Sequence, residues 1–525
     1  MHRPQRLRFS AFGAAADPLV KLEADVDSRQ VKYLRCYLHD LGARSIVIEP
    51  NYFDRDYLSE FQAFYATSAA GYPNVCQRAH FFGENVTRPV FAKAVGGDDY
   101  ARTLVGASYL GHVVIRPIPG APIGRTVLKL YPDEKGIGEG TPRVMEPARQ
   151  YEAHVAGLTL RVAGIAWEQQ DSAVGSCATV ALWSMLHSSA FDDHHAIPTT
   201  AEITSMAHWS APTGHRIFPD SGLQLAQILE VIKGHGLAPV FITGEEGDQT
   251  FSRERFCTLV ASFLRSGYPV LVNGWLEEEE NQREAHTICI VGFRSAAPPA
   301  VAPGEHVLAD KDINFVYVHD DNLGPNARFR IRDADGDGTI SLVPESPSPL
   351  NGKWPTSNPT QTYHEIVPTE IVVAVHPELR TDPLELQRAA ENFARWLPLA
   401  LDHEIKQQKG TSTPGMVVSS RFMRLPLYVE RELASTLRDR APSVLSKTRL
   451  TLWEKVAPMS LHIGLVRVSL GTEPMMDILF DTSDSDRHLR PTAYLAFRAH
   501  VPWLLSRWQK LSGEDIDLGV LVRAW

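Results

Sequence analysis

The sequence predicts an α+β protein in three regions, residues 1–155, 156–375 and 376–525, and three observations carry that expectation. At 525 residues, 44% hydrophobic and 22% charged, the chain can bury several cores, with about three domains of roughly 150 residues as the default division. Helical and strand-like apolar periods alternate along its length, with no internal repeat or long low-complexity tract. Turn-rich stretches at Asp133 to Pro147 and Glu345 to Pro359 interrupt those periods.

In chain order, the first region reads as a helix over Ser28 to Leu41, a strand over Ser45 to Glu49, a helix from Arg55 to Thr67 and a strand over Gly111 to Arg116, together a mixed α/β or α+β unit. Pro117 to Gly124 is a Pro/Gly-rich connection. In the middle region Cys177 to Leu186 carries apolar residues at helical spacing, Arg265 to Asn273 reads as turn then strand, and Ala285 to Phe293 is the next strand, opened by His286. Asn314 to His319 forms a third strand ending at Asp320-Asp321-Asn322. The last region reads as a helix over Pro383 to Lys409, a second over Leu425 to Arg438 and a strand over Met459 to Leu470. The two flanking regions are mixed α/β in character, and their residues point to no particular role.

Composition removes several function classes. A net charge of −10 gives no field for phosphate backbones, and no Lys/Arg cluster is interleaved with aromatics, so no nucleic-acid partner is expected. The basic start Met1 to Arg8 is not followed by the apolar core of a signal peptide, and no apolar run approaches the ~20 residues that span a bilayer. The expectation is a cytoplasmic protein with no membrane partner. Five cysteines, Cys36, Cys76, Cys177, Cys257 and Cys289, contain no Cys-x-x-Cys pair and no disulfide framework. Four sit in apolar or helix-like contexts that suit a small hydrophobe. Cys177 alone has company that suggests chemistry.

That company is three segments in order: Gln170 to Ala178, Glu284 to Ile288, and Val318 to Gly324. A thiol needs a base to become a thiolate near neutral pH, and the base needs a fixed tautomer. Cys177, His286 and the strand-terminal acids fill those parts. Gly175-Ser176 can turn and cap a helix so that Cys177 lies in its first turn, where the positive helix end favours thiolate over thiol. Gln170 offers a side-chain amide that, with the Cys177 backbone N–H, suits a developing oxyanion. Each segment alone has a plainer explanation: a buried cysteine at a helix start, a packing histidine, a turn after a strand. Their order points to acyl-transfer chemistry on an amide or ester.

On these residues, residues 160 to 375 resemble the papain-like cysteine peptidase superfamily, particularly the bacterial branch that includes the leader-cleaving peptidase domains of bacteriocin exporters. The resemblance extends to Gly222-Leu223-Gln224-Leu225 with its helix to Gly236, Gly267-Tyr268-Pro269-Val270, and Val291-Gly292-Phe293. It implies a papain-like core, with a helix carrying Cys177 packed on a small antiparallel sheet carrying His286 and Asp320. It also implies a Cys-His-Asp triad with Gln170 at the oxyanion. Two departures stand out. The family's glutamine lies six residues before the cysteine, whereas Gln170 lies seven before Cys177 with Asp171 next, so the loop must absorb one residue. Alignment on the strand end selects Asp320 as third member, alignment on Gly324 selects Asp321, and Asn322 is a distant option; Asp320 is favoured.

The implied function is thiol-dependent hydrolysis of a peptide or isopeptide bond in a protein or peptide substrate, without cofactor or catalytic metal. A transglutaminase-like acyltransferase would use the same triad and pass its thioester to an amine, giving a cross-link instead of a free carboxylate. A catalytically silent papain-like binding module is the third reading, and normal function of Cys177→Ala in the cell would favour it. Glu277 to Glu280, just before His286, suits a basic substrate segment, long-range attraction of the imidazolium, or a plain solvated loop. Asp333-Ala334-Asp335-Gly336-Asp337-Gly338 has the first half of a calcium-loop pattern, but position twelve is Pro344, and a hairpin turn explains it equally. Asp192-Asp193-His194-His195 lacks an element to fix metal geometry. The flanking regions leave room for a regulatory partner.

Overall fold

Among the described residues, three sheets and one hairpin, with helices on their faces, make this a mixed α+β structure. The structure is a computed structural model. It describes the chain apart from residues 1–5, 133–140, 142, 172–176, 192–194, 210–221, 246–249, 278–282, 297–305, 310–311, 334–338, 346–362, 408–414, 457–459, 472, 484–488, 490 and 514–519. Several expectations fall on those residues: the turn at Gly175-Ser176, the acidic run after Glu277, the calcium-loop centre at 334–338 and the cluster Asp192 to His194.

The first sheet is an antiparallel meander of β1 (Arg8–Ala11), β2 (Ser45–Tyr52), β3 (Cys76–Phe82), β4 (Tyr109–Ile115) and β5 (Ile123–Leu128). Ser28 caps the Arg29–Asp40 helix by accepting the Val31 N–H, and Val31, Leu34 and Leu38 recur at helical spacing to bury one face. The helix expected over Arg55 to Thr67 changes pitch: Arg55–Glu60 is α-helical under an Asp54 cap, and Phe61–Tyr65 is a wider π turn. The Pro/Gly-rich connection is the turn between β4 and β5, closed by the Arg116 side chain donating to the Ala121 carbonyl at 3.1 Å.

A hairpin, β6 (Arg149–Val155) and β7 (Leu158–Gly164), follows; its turn residues Ala156 and Gly157 both have positive φ, as a tight two-residue hairpin requires. The hairpin spans the expected boundary at 155. Next in the chain come β8 (Ala238–Thr243), β9 (Val270–Glu277), β10 (Arg283–Ser295), β11 (His306–Leu308), β12 (Ile313–Asp320), β13 (Gly324–Asp333), β14 (Ile340–Glu345) and β15 (Ile366–Val375). Seven of them form an antiparallel sheet in the order β14-β13-β12-β10-β9-β15-β8, and the pair Leu342↔Ile366 joins β14 to β15, so six strands close on themselves. β13 and β14 pair antiparallel from Arg328↔Glu345 to Asp333↔Ile340. β10 is buried on both faces from His286 to Arg294 because the helices Cys177–Met185 and Arg253–Arg265 pack on the sheet. Gly292 lets Val144 and Met145 cross β10, since a Cβ there would run into both.

The last sheet runs β11-β16-β17-β18-β19-β20, with β16 (Met416–Arg424), β17 (His462–Leu470), β18 (Glu473–Asp481), β19 (Pro491–Ala496) and β20 (Leu521–Arg523). β11 belongs to the middle region by sequence, yet it pairs parallel with β16, so this sheet does not respect the expected boundary at 375. The Pro383–Gln407 helix packs on this sheet, and the expected helix after Leu425 is helical to Thr436 through a π turn at Tyr428–Glu432. Among the described residues no helix is long and apolar enough to cross a membrane.

Candidate active site

The Cys177–Met185 helix is apolar all round and buried from Ala178 to Met185, which fixes its place against β10 and leaves only Cys177 half-exposed at its start. The four other cysteines are buried, and burial pushes the Cys257 thiol up to about 12 and those of Cys76 and Cys289 up as well. They are packing groups, as their sequence contexts suggested.

His286 does not open its strand. β10 begins at Arg283, paired with Glu277, so His286 lies three residues in, opposite Gly274. Its ring is 5% exposed and makes a hydrogen bond with the Cys177 side chain. On the other side, Nε2 lies 3.3 Å from Asp320 Oδ1 and 3.2 Å from the Tyr363 hydroxyl. Tyr363 donates to Asp320 Oδ2 at 2.5 Å, so its oxygen is free to accept the imidazole N–H. With Nε2–H held there, the second ring nitrogen is the one left for the sulfur.

Asp320 is fully buried at the end of β12, where the register against β13 slips between Val318 and Asp320. Asp321 follows in the turn between β12 and β13, outside the strand's alternation, so both acids can face His286. Asp320 Oδ1 also accepts the Asn322 N–H at 2.8 Å, and its backbone carbonyl accepts Trp167 Nε1–H at 2.9 Å. Asp321 Oδ1 is 3.9 Å from His286 Nε2, and its Oδ2 has no hydrogen-bond partner among the described residues. Burial alone would raise Asp320, but the charge of His286 and hydrogen bonds from His286, Tyr363 and Asn322 hold it below the usual carboxylate value. Burial, together with the charge of Asp320, pushes Asp321 up to about 7 against the pull of His286. Burial likewise opposes charge on His286, yet Asp320, the Cys177 hydrogen bond and Asp321 outweigh it and hold the imidazole well above its ordinary value.

Gln170 reaches the same corner, but its amide donates to Asn322 Oδ1 at 3.4 Å, which puts it on the third segment. Asn322 itself serves Asp320 through its backbone and Gln170 through its side chain.

Sequence reasoning missed Tyr363, Trp167 and the whole contribution of the first region. The Trp167 backbone pairs with Thr126 of β5, at 2.7 and 3.0 Å. Gln30 donates to the Asp321 carbonyl at 3.0 Å, Tyr33 to the Pro325 carbonyl at 3.3 Å, and the Arg29 guanidinium lies 5.3 Å from the Tyr363 ring centre. Gly324 has room for no Cβ, which would overlap the Tyr33 ring. Nothing local in the sequence marks these residues, because each acts across a long chain separation.

His286, Asp320 and Asp321 each offer one ligand atom within 4.8 Å of the others, a donor set that suits a small divalent cation. Nε2 is already committed to Asp320 and Tyr363, however, and a metal would have to displace both. No model of a known protein family matches the chain, and no curated protein matches it significantly.

Proposed function

We propose that the chain is a cysteine-dependent hydrolase with a papain-like core, cleaving a peptide or isopeptide bond through a thioester on Cys177. One observation carries the reading: a half-exposed thiol at the start of a buried helix is hydrogen-bonded to an imidazole whose other nitrogen is held by a buried carboxylate. The packing of that helix on an antiparallel sheet carrying both partners supports it.

The steps follow from the geometry. His286 takes the Cys177 proton, and the thiolate attacks the carbonyl carbon. The backbone N–H of Cys177 receives the oxyanion, joined by the Gln170 amide once it turns from Asn322. Collapse breaks the C–N bond, and the leaving amine takes the proton from His286. Water then gives a proton to His286 and attacks the thioester, releasing a carboxylic acid and the thiol. Asp320 and Tyr363 orient the imidazole and stabilise its charged form.

The test is alkylation by iodoacetamide between about pH 5 and 8, mapped by peptide mass spectrometry, in wild type and His286→Ala. Rapid reaction confined to Cys177 and lost without His286 is the expected result. Equal reactivity of Cys177 in both proteins would sink the proposal.

A further inference from the structure

Between the middle region and the last sheet lies a cavity of about 120 Å³. It is bordered by Ser189-Ala190, beyond the far end of the Cys177–Met185 helix, by Gly267-Tyr268 ahead of β9, and by the end of β16 beside the start of β17. Four arginines, Arg265, Arg421, Arg424 and Arg431, line it against two carboxylates, Glu146 and Glu432. Glu432 is already engaged by Arg421 at 2.5 Å and by Arg467 at 3.2 Å, so it does little to neutralise the rest.

Two groups here make no hydrogen bond among the described residues, although His462 Nδ1 lies 3.8 Å from the Glu378 carboxylate. Arg424 Nε is buried without a hydrogen bond among the described residues, and so are both ring nitrogens of His462, whose side chain is 3% exposed. A neutral imidazole carries one N–H donor, and a guanidinium nitrogen can only donate. Burial first, then His376 and Arg424, push His462 down to about 4, so it offers that single donor and no charge. Unmet buried donors are costly, and an excess of guanidinium charge around them calls for an anionic acceptor. The volume is well below the ~300 Å³ of a drug-sized pocket, so the ligand is small.

We infer that this cavity binds a small oxyanion, a phosphate or carboxylate group, held by Arg424 and His462 with the exposed Arg431 at its edge. A divalent cation is the competing occupant, because His376, Glu378 and His462 each place one ligand atom within 4.8 Å of the others. Arg424 repels a second cation beside His462, and its orphaned Nε–H is a donor that no cation can satisfy.

The experiment titrates inorganic phosphate, acetate and Zn²⁺ separately into the full-length wild type, Arg424→Met and Arg431→Met at constant ionic strength, read by calorimetry and by Tm. Saturable anion binding that raises Tm is expected, weakened about tenfold or more in Arg424→Met, which loses a charge-assisted donor. Tighter phosphate than acetate identifies a phosphoryl group, and the reverse a carboxylate. Arg431→Met, at an exposed position, should weaken binding by about threefold and decides the matter if Arg424→Met does not fold. The inference is overturned if neither anion saturates the wild type, if binding is undiminished in the folded variants, or if only Zn²⁺ binds and His462→Phe abolishes it.

Discussion

Two buried histidines, His286 and His462, are 5% and 2% exposed, and burial opposes charge on both. The neighbouring charges that dominate differ in sign, although Glu378 also stands 3.8 Å from His462 Nδ1. Asp320 and Asp321 hold His286 well above the ordinary imidazole value, whereas His376 and Arg424 help drive His462 to about 4. Burial sets a common penalty and adjacent charge decides which way each ring finally goes. The first direction suits the proton transfer proposed for His286, and the second suits the neutral donor inferred for His462. His319, one residue before Asp320, is a third case: burial lowers it to about 4, but Ile165 O and the Asn326 N–H occupy its two nitrogens, so it is purely structural.

The contrast can be broken most directly at His286. His286→Ala should slow Cys177 alkylation near pH 6 by about 10²–10³-fold, the scale of a lost general base. Asp320→Asn should cost about 10–10²-fold, since each unit lost from the imidazole pKa is a factor of ten, while Asp321→Asn should cost less than about threefold. A larger loss in Asp321→Asn would transfer the orienting role to that residue. Tyr363→Phe, removing one hydrogen bond to a charged group, should cost about tenfold or less, with a lowered apparent pKa in the pH profile as the mark of a positioning residue.

Two stability measurements sharpen it further. Gly324→Ala should destabilise the fold by about 1–3 kcal/mol in urea unfolding, as overpacking does, with partial recovery in a Tyr33→Leu background. The pair His286 and Asp320 should also shape stability against pH. The raised folded pKa of His286 makes its contribution whole below ~6.5 and fading as pH rises through that higher value. The lowered Asp320 contributes fully above ~3.9 and fades as pH falls through its folded value. The stability gap between wild type and a His286→Gln variant should therefore be widest near pH 5 to 6 and narrow on the alkaline side. A gap that widens on the alkaline side would contradict the assigned direction.

Much of this arrangement was legible along the chain. Periodicity located the Arg29–Asp40 and Cys177–Met185 helices and the strands β9, β10 and β12, and each of Cys177, His286 and Asp320 lies in a segment with its own local signal. The choice between Asp320 and Asp321 was not legible, because the strand ends at Asp320 and the direction of Asp321 is set by the turn that follows. Tyr363 follows a turn-rich stretch without periodicity and meets Asp320 across 43 residues. β11 is three residues long, too short for any pattern to show that it completes a sheet downstream. The hairpin β6–β7 buries Ala153, Val155, Leu160 and Val162 on one face, an alternation that the reading of a boundary at 155 did not use.

The bond from Gln30 to the Asp321 carbonyl spans 291 residues, and that from Tyr33 to Pro325 spans 292. During synthesis the first sheet can form early, but the turn that follows β12 meets its brace only after the middle region has emerged. Tyr363 comes later still. At ~5–20 residues per second, the stretch of about 190 residues from Cys177 to Tyr363 takes on the order of 10–40 s to translate. Through that interval the ribosome-bound chain carries Cys177 before all the residues that hold the imidazole beside it have emerged, so the proposed chemistry would have to wait until folding is nearly done.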